Sequence, residues 1–239
     1  MSNFDLHNKR ILMRIVAILA LTLLPLFAGF FPKTTYTSIK EVSDKSVKLT
    51  SALPRNGMSG VVIHNYDHGL EAITSRLIQD KAGRVTLQEK EIIHHDKLPS
   101  IKTKVNPGDK VIGGYLYDNV LLLAPNKVTY DKITSMYNKK WVHPDLFALF
   151  LDKEGDNVPT HANLATFAKA YQVGLVLIIG SKKAKLLDTI SGKIVGVQVM
   201  KGLPKKGQAP FFSRLNKMEP ASVFSRGLSL SYYELMDAI

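Results

Sequence analysis

Val120-Leu121-Leu122-Leu123-Ala124 is an uninterrupted apolar run, and it marks the point where the chain changes character. A short continuous run of this kind is typical of a strand that is buried on both faces. Asn126 follows closely, and asparagine is a preferred N-cap residue, so we predict a helix from there through Tyr137. A buried strand followed directly by a helix indicates an α/β unit.

The segments after this helix continue the alternation of strand and helix. Trp141-Val142-His143 is predicted to form a short strand, and Pro144 to open a helix that Gly155 ends. Thr160 is predicted to cap another helix. The positions expected to face inward are Leu146, Phe147, Phe150 and Leu151 in the first of these helices and Leu164, Phe167, Ala168 and Tyr171 in the second.

Three further strands are predicted at 174–179, 185–189 and 193–199, with a turn at Ser191-Gly192. Together with the preceding elements they indicate a mixed sheet covered by helices, and we assign this α/β subdomain to residues 119–202. Residues 203–239 form a C-terminal extension, whose last part, residues 221–239, is expected to be a loose tail or a short helix.

The chain before the apolar run has the pattern of short β-strands. Apolar and polar residues alternate through a hairpin that turns near Ser43-Asp44-Lys45, and a strong turn is predicted at Asn106-Pro107-Gly108-Asp109. The strands between and after these turns are predicted at 60–64, 72–78, 84–90 and 110–117, the last with a bulge or a close backbone approach at Gly113-Gly114. We therefore predict an α+β chain whose residues 36–118 form a small barrel or sandwich.

The N-terminal region is strongly apolar. Residues 15–31 contain no charged residue, and three basic residues precede them. A helix from Ile15 to Pro32 would be about 27 Å long, close to the hydrocarbon thickness of a bilayer. We predict that residues 1–32 are a signal peptide or, preferably, an uncleaved signal anchor with a single membrane helix. The residues assigned to the membrane are Ile15, Leu19, Leu23, Leu26 and Phe30.

This leader sets the expected location of the rest of the chain. If it remains attached, the chain is anchored in the inner membrane and the main domain is periplasmic. If it is cleaved, with Leu26-Phe27-Ala28 as a weak cleavage site, the protein is exported towards the cell surface. In both cases we expect a cell-envelope protein.

Composition narrows the chemistry. The chain has no cysteine, which excludes disulfides, thiolate metal sites and a cysteine nucleophile. No Gly-x-Ser-x-Gly, Walker or dinucleotide-binding motif is present. We predict a non-enzymatic protein with no cofactor, no metal and no catalytic residue.

Histidines beside carboxylates are the one feature that could indicate a metal. His64 and His68 flank Asp67, and similar groupings occur at His94-His95-Asp96 and at His143 with Asp145. A metal site needs three or four such groups to converge. Surface or turn-capping histidines are the preferred interpretation, and Asp145 is expected in the first turn of a helix, where it favours the helix dipole. A metal-dependent hydrolase remains the third alternative.

Positive charge is concentrated near the C-terminal end. The net charge of the chain is +12, and residues 181–217 hold nine basic residues against Asp188 alone, a local net charge of +8. Such a patch attracts anionic lipid headgroups, anionic glycans, nucleic acid or an acidic protein face, although lysines also simply solvate strand edges. We find no RNA-stacking motif and expect no nucleic acid partner. The residues assigned to partner binding are Lys182, Lys183, Lys185, Lys193, Lys201, Lys205 and Lys206.

Several short motifs occur in an order that resembles one known family. They are Gly57-Met58-Ser59-Gly60-Val61-Val62 followed by His64 and Asp67, Tyr115-Leu116-Tyr117-Asp118, Leu123-Ala124-Pro125-Asn126, His143-Pro144-Asp145-Leu146-Phe147, Tyr171-Gln172-Val173-Gly174-Leu175 and Pro210-Phe211-Phe212-Ser213-Arg214-Leu215. Over residues 36–215 the sequence resembles the N-terminal domain of the plasminogen-binding proteins of Helicobacter, Campylobacter and their relatives. The resemblance implies an envelope protein with a periplasmic or surface-exposed domain and no catalytic residues.

The resemblance also implies a binding chemistry. Kringle modules of plasminogen bind lysine side chains in an aromatic trough, most readily where an ammonium and a carboxylate are presented together. Family members known for this binding end in lysine, whereas this sequence ends Asp237-Ala238-Ile239, so internal pairs such as Lys153-Glu154 or Lys90-Glu91 would have to serve. The prediction is a lysine-rich face that recruits a protein partner such as plasminogen. The alternative is a structural or assembly protein that docks on anionic lipid or on another envelope component.

Overall fold

The computed structural model describes residues 29–43, 46–88, 103–156, 158–215 and 230–239. By its contacts the chain divides into two compact units, residues 1–31 and residues 32–239. Most of the predicted membrane segment, including Ile15, Leu19, Leu23 and Leu26, lies outside the described residues. No helix within the described ranges combines the length and the apolar character that a membrane crossing requires.

The end of the first unit differs from the prediction. Residues 29–31 form a turn followed by bends, and Gly29 has a φ of +94°, which a helix does not allow. Phe30 is buried and contacts Phe31 edge to face, with 5.3 Å between the ring centroids. The predicted helix therefore does not continue to Pro32, because residues 29–31 do not have helical geometry.

The first half of the second unit is a closed, six-stranded antiparallel barrel, which confirms the prediction of a small barrel. The strands are β1 (Thr35–Ser43), β2 (Ser46–Leu49), β3 (Ser59–Asn65), β4 (Glu71–Lys81), β5 (Arg84–Gln88) and β6 (Lys110–Gly113), in the order β1-β2-β5-β4-β3-β6. β6 closes the barrel by pairing with both β3 and β1. The predicted hairpin is present, since Ser43 lies opposite Ser46.

One barrel prediction is wrong. The strand predicted at 110–117 ends at Gly113, and residues 114–118 form turns. Gly114 has a φ of +67°, a left-handed conformation that favours glycine, and the chain then folds back so that Tyr117 packs against it. The predicted close approach at Gly113 is confirmed, because a Cβ there would overlap the Leu53 side chain.

The second half of this unit is a five-stranded mixed sheet, as predicted. Its strands are β7 (Asn119–Leu123), β8 (Lys140–Val142), β9 (Leu175–Ile179), β10 (Lys183–Asp188) and β11 (Ile194–Val199), in the order β11-β10-β9-β7-β8. β7 runs parallel to β8 and β9, and β9, β10 and β11 form an antiparallel meander. Residues 120–123 are completely buried, which accounts for their uninterrupted apolar character.

Within the described ranges four helices accompany the sheet: α1 (Lys127–Met136), α2 (Pro144–Glu154), α3 (His161–Tyr171) and α4 (Tyr232–Ala238). The predicted caps are confirmed: the Asn126 side chain accepts a hydrogen bond from Thr129 N, Thr160 forms a capping box with Asn163, and Gly155 ends α2 in a left-handed conformation. The two alternatives for residues 221–239 were a loose tail and a short helix. The short helix is confirmed in the part that the structure describes, since α4 has seven residues.

The main core lies between this sheet and α2, α3 and α4. It contains Leu121, Leu123, Phe147, Leu151, Phe167, Val176, Ile178, Phe211, Tyr232 and Met236, all at most 1% exposed. Two helix positions were predicted inward and are not: Leu146 is 41% exposed and Tyr171 is 43% exposed. Tyr171 stacks on Phe167 at the edge of the core, with 4.4 Å between the ring centroids.

Candidate partner-binding surface

The sheet gathers most of the predicted lysines at one end. β7 and β9 are parallel and end together, and β10 begins and β11 ends at the same side because both lie in the antiparallel meander. This is the carboxyl end of the parallel strands. Five exposed lysines lie in the segments that follow or precede these strands there, and we call them the basic end: Lys182, Lys183, Lys201, Lys205 and Lys206.

Three members of the basic end are held by the β10–β11 hairpin. Lys183 lies directly opposite Val199, and the Lys182 carbonyl accepts a hydrogen bond from Met200 N at 2.9 Å. Lys201 follows directly in the chain. These lysines therefore approach one another from two strands, on a rigid part of the fold.

The other two members are held by the segment that leads to α4. The Pro204 carbonyl accepts a hydrogen bond from Tyr233 Oη at 2.7 Å, and Gln208 N donates to the Pro125 carbonyl at 2.7 Å. Lys205 and Lys206 lie between these two anchors, next to the end of β7. The five lysines of the basic end thus lie around the carboxyl end of β7 and β9, where α4 packs against the sheet.

Two of the seven predicted lysines do not belong to this end. Lys185 is only 8% exposed, and its Nζ donates to the Asp237 carbonyl of α4 at 3.2 Å. Burial lowers the pKa of Lys185, although Asp237 raises it. The expectation that Lys185 is exposed to a partner is therefore wrong, since Lys185 faces the core side of the sheet and caps α4. Its location could not be inferred from the sequence because Asp237 is 52 residues away.

Lys193 is exposed but lies at the opposite end of the hairpin. It precedes β11 and lies about 20 Å along the strand from the level of Val199, at 3.4 Å per residue. Its Nζ lies 3.4 Å from Asp80 Oδ1 of the barrel. Lys193 therefore stabilises the contact between barrel and sheet more directly than it extends the basic end.

Carboxylates of α4 lie beside the basic end. Asp237 Oδ1 accepts a hydrogen bond from Ser181 N at 3.1 Å, immediately before Lys182 in the chain. Asp237 and Lys183 also both lie near the Lys185 ammonium, where they act on its pKa in opposite directions. The exposed Asp237 carboxylate is thus held at the backbone of Ser181, one residue before the exposed Lys182.

The lysine pairs inferred from the sequence are less suited to this role. Lys153 and Glu154 are exposed at the end of α2, but successive helix residues point about 100° apart and do not face each other. Lys90 and Glu91 lie outside the described residues.

The crevice at the carboxyl end of β7 and β9 is filled by α4. In open α/β sheets ligands bind outside the carboxyl ends of strands where successive connections run in opposite directions, as they do on either side of β7 here. Tyr232 is completely buried there, and its hydroxyl lies 2.9 Å from the Leu123 carbonyl and 2.8 Å from the Ile179 carbonyl. Burial raises the pKa of Tyr232, so its hydroxyl remains a donor. A small molecule therefore has no access to this position while α4 is docked.

The histidine groupings do not form a metal site in the described ranges, where no cluster of three or more ligand side chains occurs. β3 ends at Asn65, and Asp67 and His68 have positive φ angles in the turn that follows, so His64 and His68 do not share a strand face. His64 Nδ1 instead lies 2.7 Å from Asp109 Oδ1. His94, His95 and Asp96 lie outside the described residues.

His143 and Asp145 shape the start of α2, as the sequence indicated. His143 Nδ1 accepts a hydrogen bond from Asp145 N at 3.2 Å. Burial lowers the pKa of His143, which suits this acceptor role. Asp145 also accepts hydrogen bonds from Ser213 Oγ, Arg214 N and Arg214 Nε at 3.0, 2.8 and 2.7 Å. These bonds attach the segment that follows β11 to the start of α2.

In the sequence Asp188 stands out only as the one acidic residue in a basic stretch, but in the structure it has a central position. It is completely buried, and its Oδ2 accepts hydrogen bonds from Ser59 N at 2.8 Å and from Tyr117 Oη at 2.5 Å. Its Oδ1 accepts from Ile190 N and Ser191 N, both at 2.9 Å. Ser59 begins β3 of the barrel, so Asp188 joins the barrel to the sheet. No local signal in the sequence could have identified this contact, because Ser59 is 129 residues away.

Comparison with known proteins now gives one clear result. No curated protein and no solved structure matches the chain significantly. Residues 34–239, which include the barrel, the sheet and α4, match the family described as plasminogen-binding protein pgbA N-terminal. The match covers most of the chain and confirms the resemblance seen in the short motifs. The chain therefore belongs to the family of plasminogen-binding protein pgbA N-terminal domains.

Proposed function

We propose that this chain is a non-enzymatic cell-envelope protein whose basic end binds plasminogen through a kringle module. The family is named for plasminogen binding, which supports a binding protein rather than an enzyme. The observation that carries the proposal is the hydrogen bond from Ser181 N to the Asp237 carboxylate, directly before the exposed Lys182 and Lys183 in the chain. This arrangement presents an ammonium and a carboxylate together, as a lysine-binding trough requires.

The proposal includes the location of the protein. The apolar leader is proposed to target residues 33–239 out of the cytoplasm, either as an inner-membrane anchor or as a cleaved signal peptide. Plasminogen is extracellular, so the chain needs exposure at the cell surface to meet it. The N-terminal mass of the mature protein, compared with the full sequence, distinguishes an anchor from a cleaved leader.

The direct test measures binding of the full chain to immobilised plasminogen with and without 6-aminohexanoate, a soluble lysine analogue. We expect binding that the analogue abolishes. The double variant K182Q/K183Q should weaken binding by about tenfold or more, which corresponds to about 1.4 kcal/mol. The matched control K132Q/K169Q also removes two exposed lysines, from α1 and α3, and should bind as the unchanged chain does. Binding that the analogue does not affect would exclude the kringle mechanism.

Docking on anionic lipid is the second candidate function, and the same five clustered lysines favour it. Here the expected result is sedimentation with vesicles that contain anionic phospholipid, no sedimentation with neutral vesicles, and loss of binding at high salt. The lysine analogue would have no effect on this binding. The two candidates are therefore separated by one competitor.

A further inference from the structure

The strand β11 is an unprotected end of the sheet. It contains six residues, Ile194 to Val199, with no charge and no proline. The other end strand, β8, has only three residues and is followed within two positions by Pro144. The barrel is closed and has no end strand. Natural proteins usually protect long end strands with charges, prolines or covering segments, because an exposed end strand readily pairs with another chain. The exposure of β11 therefore indicates a binding site.

The backbone of β11 is directed toward a missing neighbour. Met200 N donates to the Lys182 carbonyl of the β10 side, and backbone groups alternate in direction along a strand. The N–H and C=O groups of Val197 and Val199 therefore point away from β10. Within the described parts of the chain β11 pairs with β10 alone, while Arg55 Nη1 occupies the Val195 carbonyl at 3.0 Å. Among the residues that the structure describes, the four outer backbone groups of Val197 and Val199 have no hydrogen-bond partner.

The side chains of β11 form an apolar strip next to these groups. Ile194, Val197 and Val199 lie opposite Leu187, Lys185 and Lys183 of β10, on the face that α2, α3 and α4 cover over the inner strands. The helix layer does not reach β11. The three side chains are 37%, 55% and 70% exposed, whereas Leu187 is 2% exposed.

The lysines at both ends of the apolar strip favour a partner that carries negative charge. Lys182, Lys183 and Lys201 lie at one end of β11 and Lys193 at the other. Asp237 lies beside one of these ends, where it accepts a hydrogen bond from Ser181 N, and Asp80 lies beside the other, where it pairs with Lys193. A second copy of β11 would bring like charges together, which is unfavourable. An extended segment with apolar residues along one face and an acidic residue at each end complements both the strip and the lysines at the ends of β11.

We propose that β11 binds an extended acidic segment of a partner protein by strand addition. The partner's backbone pairs with Val197 and Val199, its apolar side chains cover the strip, and its carboxylates pair with Lys183 and Lys201. This interaction needs no kringle and no lysine-binding trough. It is therefore independent of the plasminogen-binding function proposed above.

The test uses the full chain and a fluorescent, end-blocked peptide of sequence Glu-Val-Thr-Val-Thr-Glu, in which both valines and the last glutamate share one face, with binding measured by fluorescence anisotropy. A control peptide carries N-methyl groups on alternate residues, which keep its charge and side chains but remove the strand donors. We expect the control peptide to bind at least about tenfold more weakly. Bound peptide should also slow hydrogen exchange at the Val197 and Val199 amides. Equal binding of both peptides, or protection only elsewhere, would overturn the proposal.

The variant V199P gives a second test. Its N–H points outward, so proline removes a donor for the partner without breaking the pairing with β10. Val128, which is 75% exposed in the first turn of α1, provides the matched control V128P, because proline is tolerated there. We expect V199P to lose peptide binding by about tenfold or more and V128P to retain it, each with an unchanged circular dichroism spectrum. Retained binding by V199P would contradict the proposal, and if V199P does not fold, the N-methylated peptide decides the question alone.

The variant V199P also separates this proposal from the previous one. V199P should lose the peptide but still bind plasminogen in a manner that 6-aminohexanoate abolishes, because the analogue occupies the kringle trough and not β11. Loss of both activities in a folded V199P would mean that strand addition is not independent of plasminogen binding and would overturn the proposal.

Discussion

Asp188 is the residue whose replacement we expect to affect stability most strongly for its size. Its two oxygens accept four hydrogen bonds in a fully buried position. In D188N an amide group replaces one oxygen and faces the Ser59 N–H, so two donors oppose each other. We expect a loss of about 2–4 kcal/mol in the free energy of unfolding, measured by urea denaturation.

The matched control for this change is D131N. Asp131 pairs with Lys127 on the surface of α1, with side chains 56% and 69% exposed. Exposed pairs of this kind contribute less than about 1 kcal/mol. Similar losses in both variants would contradict the role assigned to Asp188.

Asp145 should make the free energy of unfolding depend on pH. Burial raises the pKa of Asp145, but hydrogen bonds from Arg214 and Ser213 and the nearby His143 outweigh burial, so its pKa lies below the ordinary value. A carboxyl group with a lowered pKa contributes stability above its unfolded-state pKa, and this contribution is lost as pH falls through its folded-state pKa. The variant D145N should therefore be less stable than the unchanged chain at pH 7.

The same argument predicts that the difference narrows in acid. Thermal unfolding of both proteins at pH 7, 4 and 2.5 measures it. D145N should be less stable than the unchanged chain by about 1–3 kcal/mol at pH 7, the size of charge-assisted hydrogen bonds, and by less as the pH falls and the carboxyl group of the unchanged chain becomes protonated. A difference that stays constant with pH would show that the effect does not arise from the Asp145 charge.

At the scale of elements, the docking of α4 depends on one glycine. A Cβ on Gly207 would lie 2.6 Å from Tyr232 Cγ, closer than nonbonded carbons approach. The variant G207A should displace Tyr232 and loosen α4, with an expected cost of about 1–3 kcal/mol from overpacking. Hydrogen exchange at residues 232–238 measures the loosening.

The neighbouring variant K206A is the control for G207A. Lys206 is exposed and precedes Gly207 directly, so its truncation changes the same segment without entering the core. We expect K206A to leave hydrogen exchange in α4 unchanged. Slow exchange in α4 of G207A would indicate that the segment shifts to accommodate the methyl group and that the close approach is not required.

The elements that could be predicted from sequence are those with local causes. Asn126, Thr160 and Gly155 mark helix ends because each acts on backbone groups within a few residues. The prediction of a strand at 110–117 was wrong because a distant contact determines the structure of its second half. Its alternating aromatics resemble a strand, but Gly114 reverses the chain and Tyr117 is buried through contacts with distant Asp188.

At the scale of the whole molecule, the candidate surface could be predicted only in part. The local density of lysines predicted a basic patch, and five of seven assigned lysines do lie at one end of the sheet. The exclusion of Lys185 and Lys193 depends on contacts with Asp237 and Asp80, which lie 52 and 113 residues away. A sequence pattern contains no information about such pairs. The contact between Asp188 and Ser59 could not be predicted for the same reason, because the two residues are 129 positions apart.

The barrel and the sheet should unfold together. Residues 32–239 form one compact unit, and the connection runs through the buried Asp188 carboxylate and through Arg55, which donates to the Val195 carbonyl at 3.0 Å. Trp141, the single tryptophan of the chain, lies on β8 and reports on the sheet. Hydrogen exchange at Val62 and Leu77 reports on the barrel, because both are completely buried there.

We expect the urea midpoint from Trp141 fluorescence to coincide with the midpoint at which the Val62 and Leu77 amides lose protection. Coincident transitions from separate probes indicate a single cooperative unit. In D188N both midpoints should fall by the same amount, since the carboxylate serves both halves. A midpoint that falls for the barrel while the Trp141 transition stays in place would mean that the two halves are stable independently, and that the Asp188 contact holds them together without making their folding cooperative.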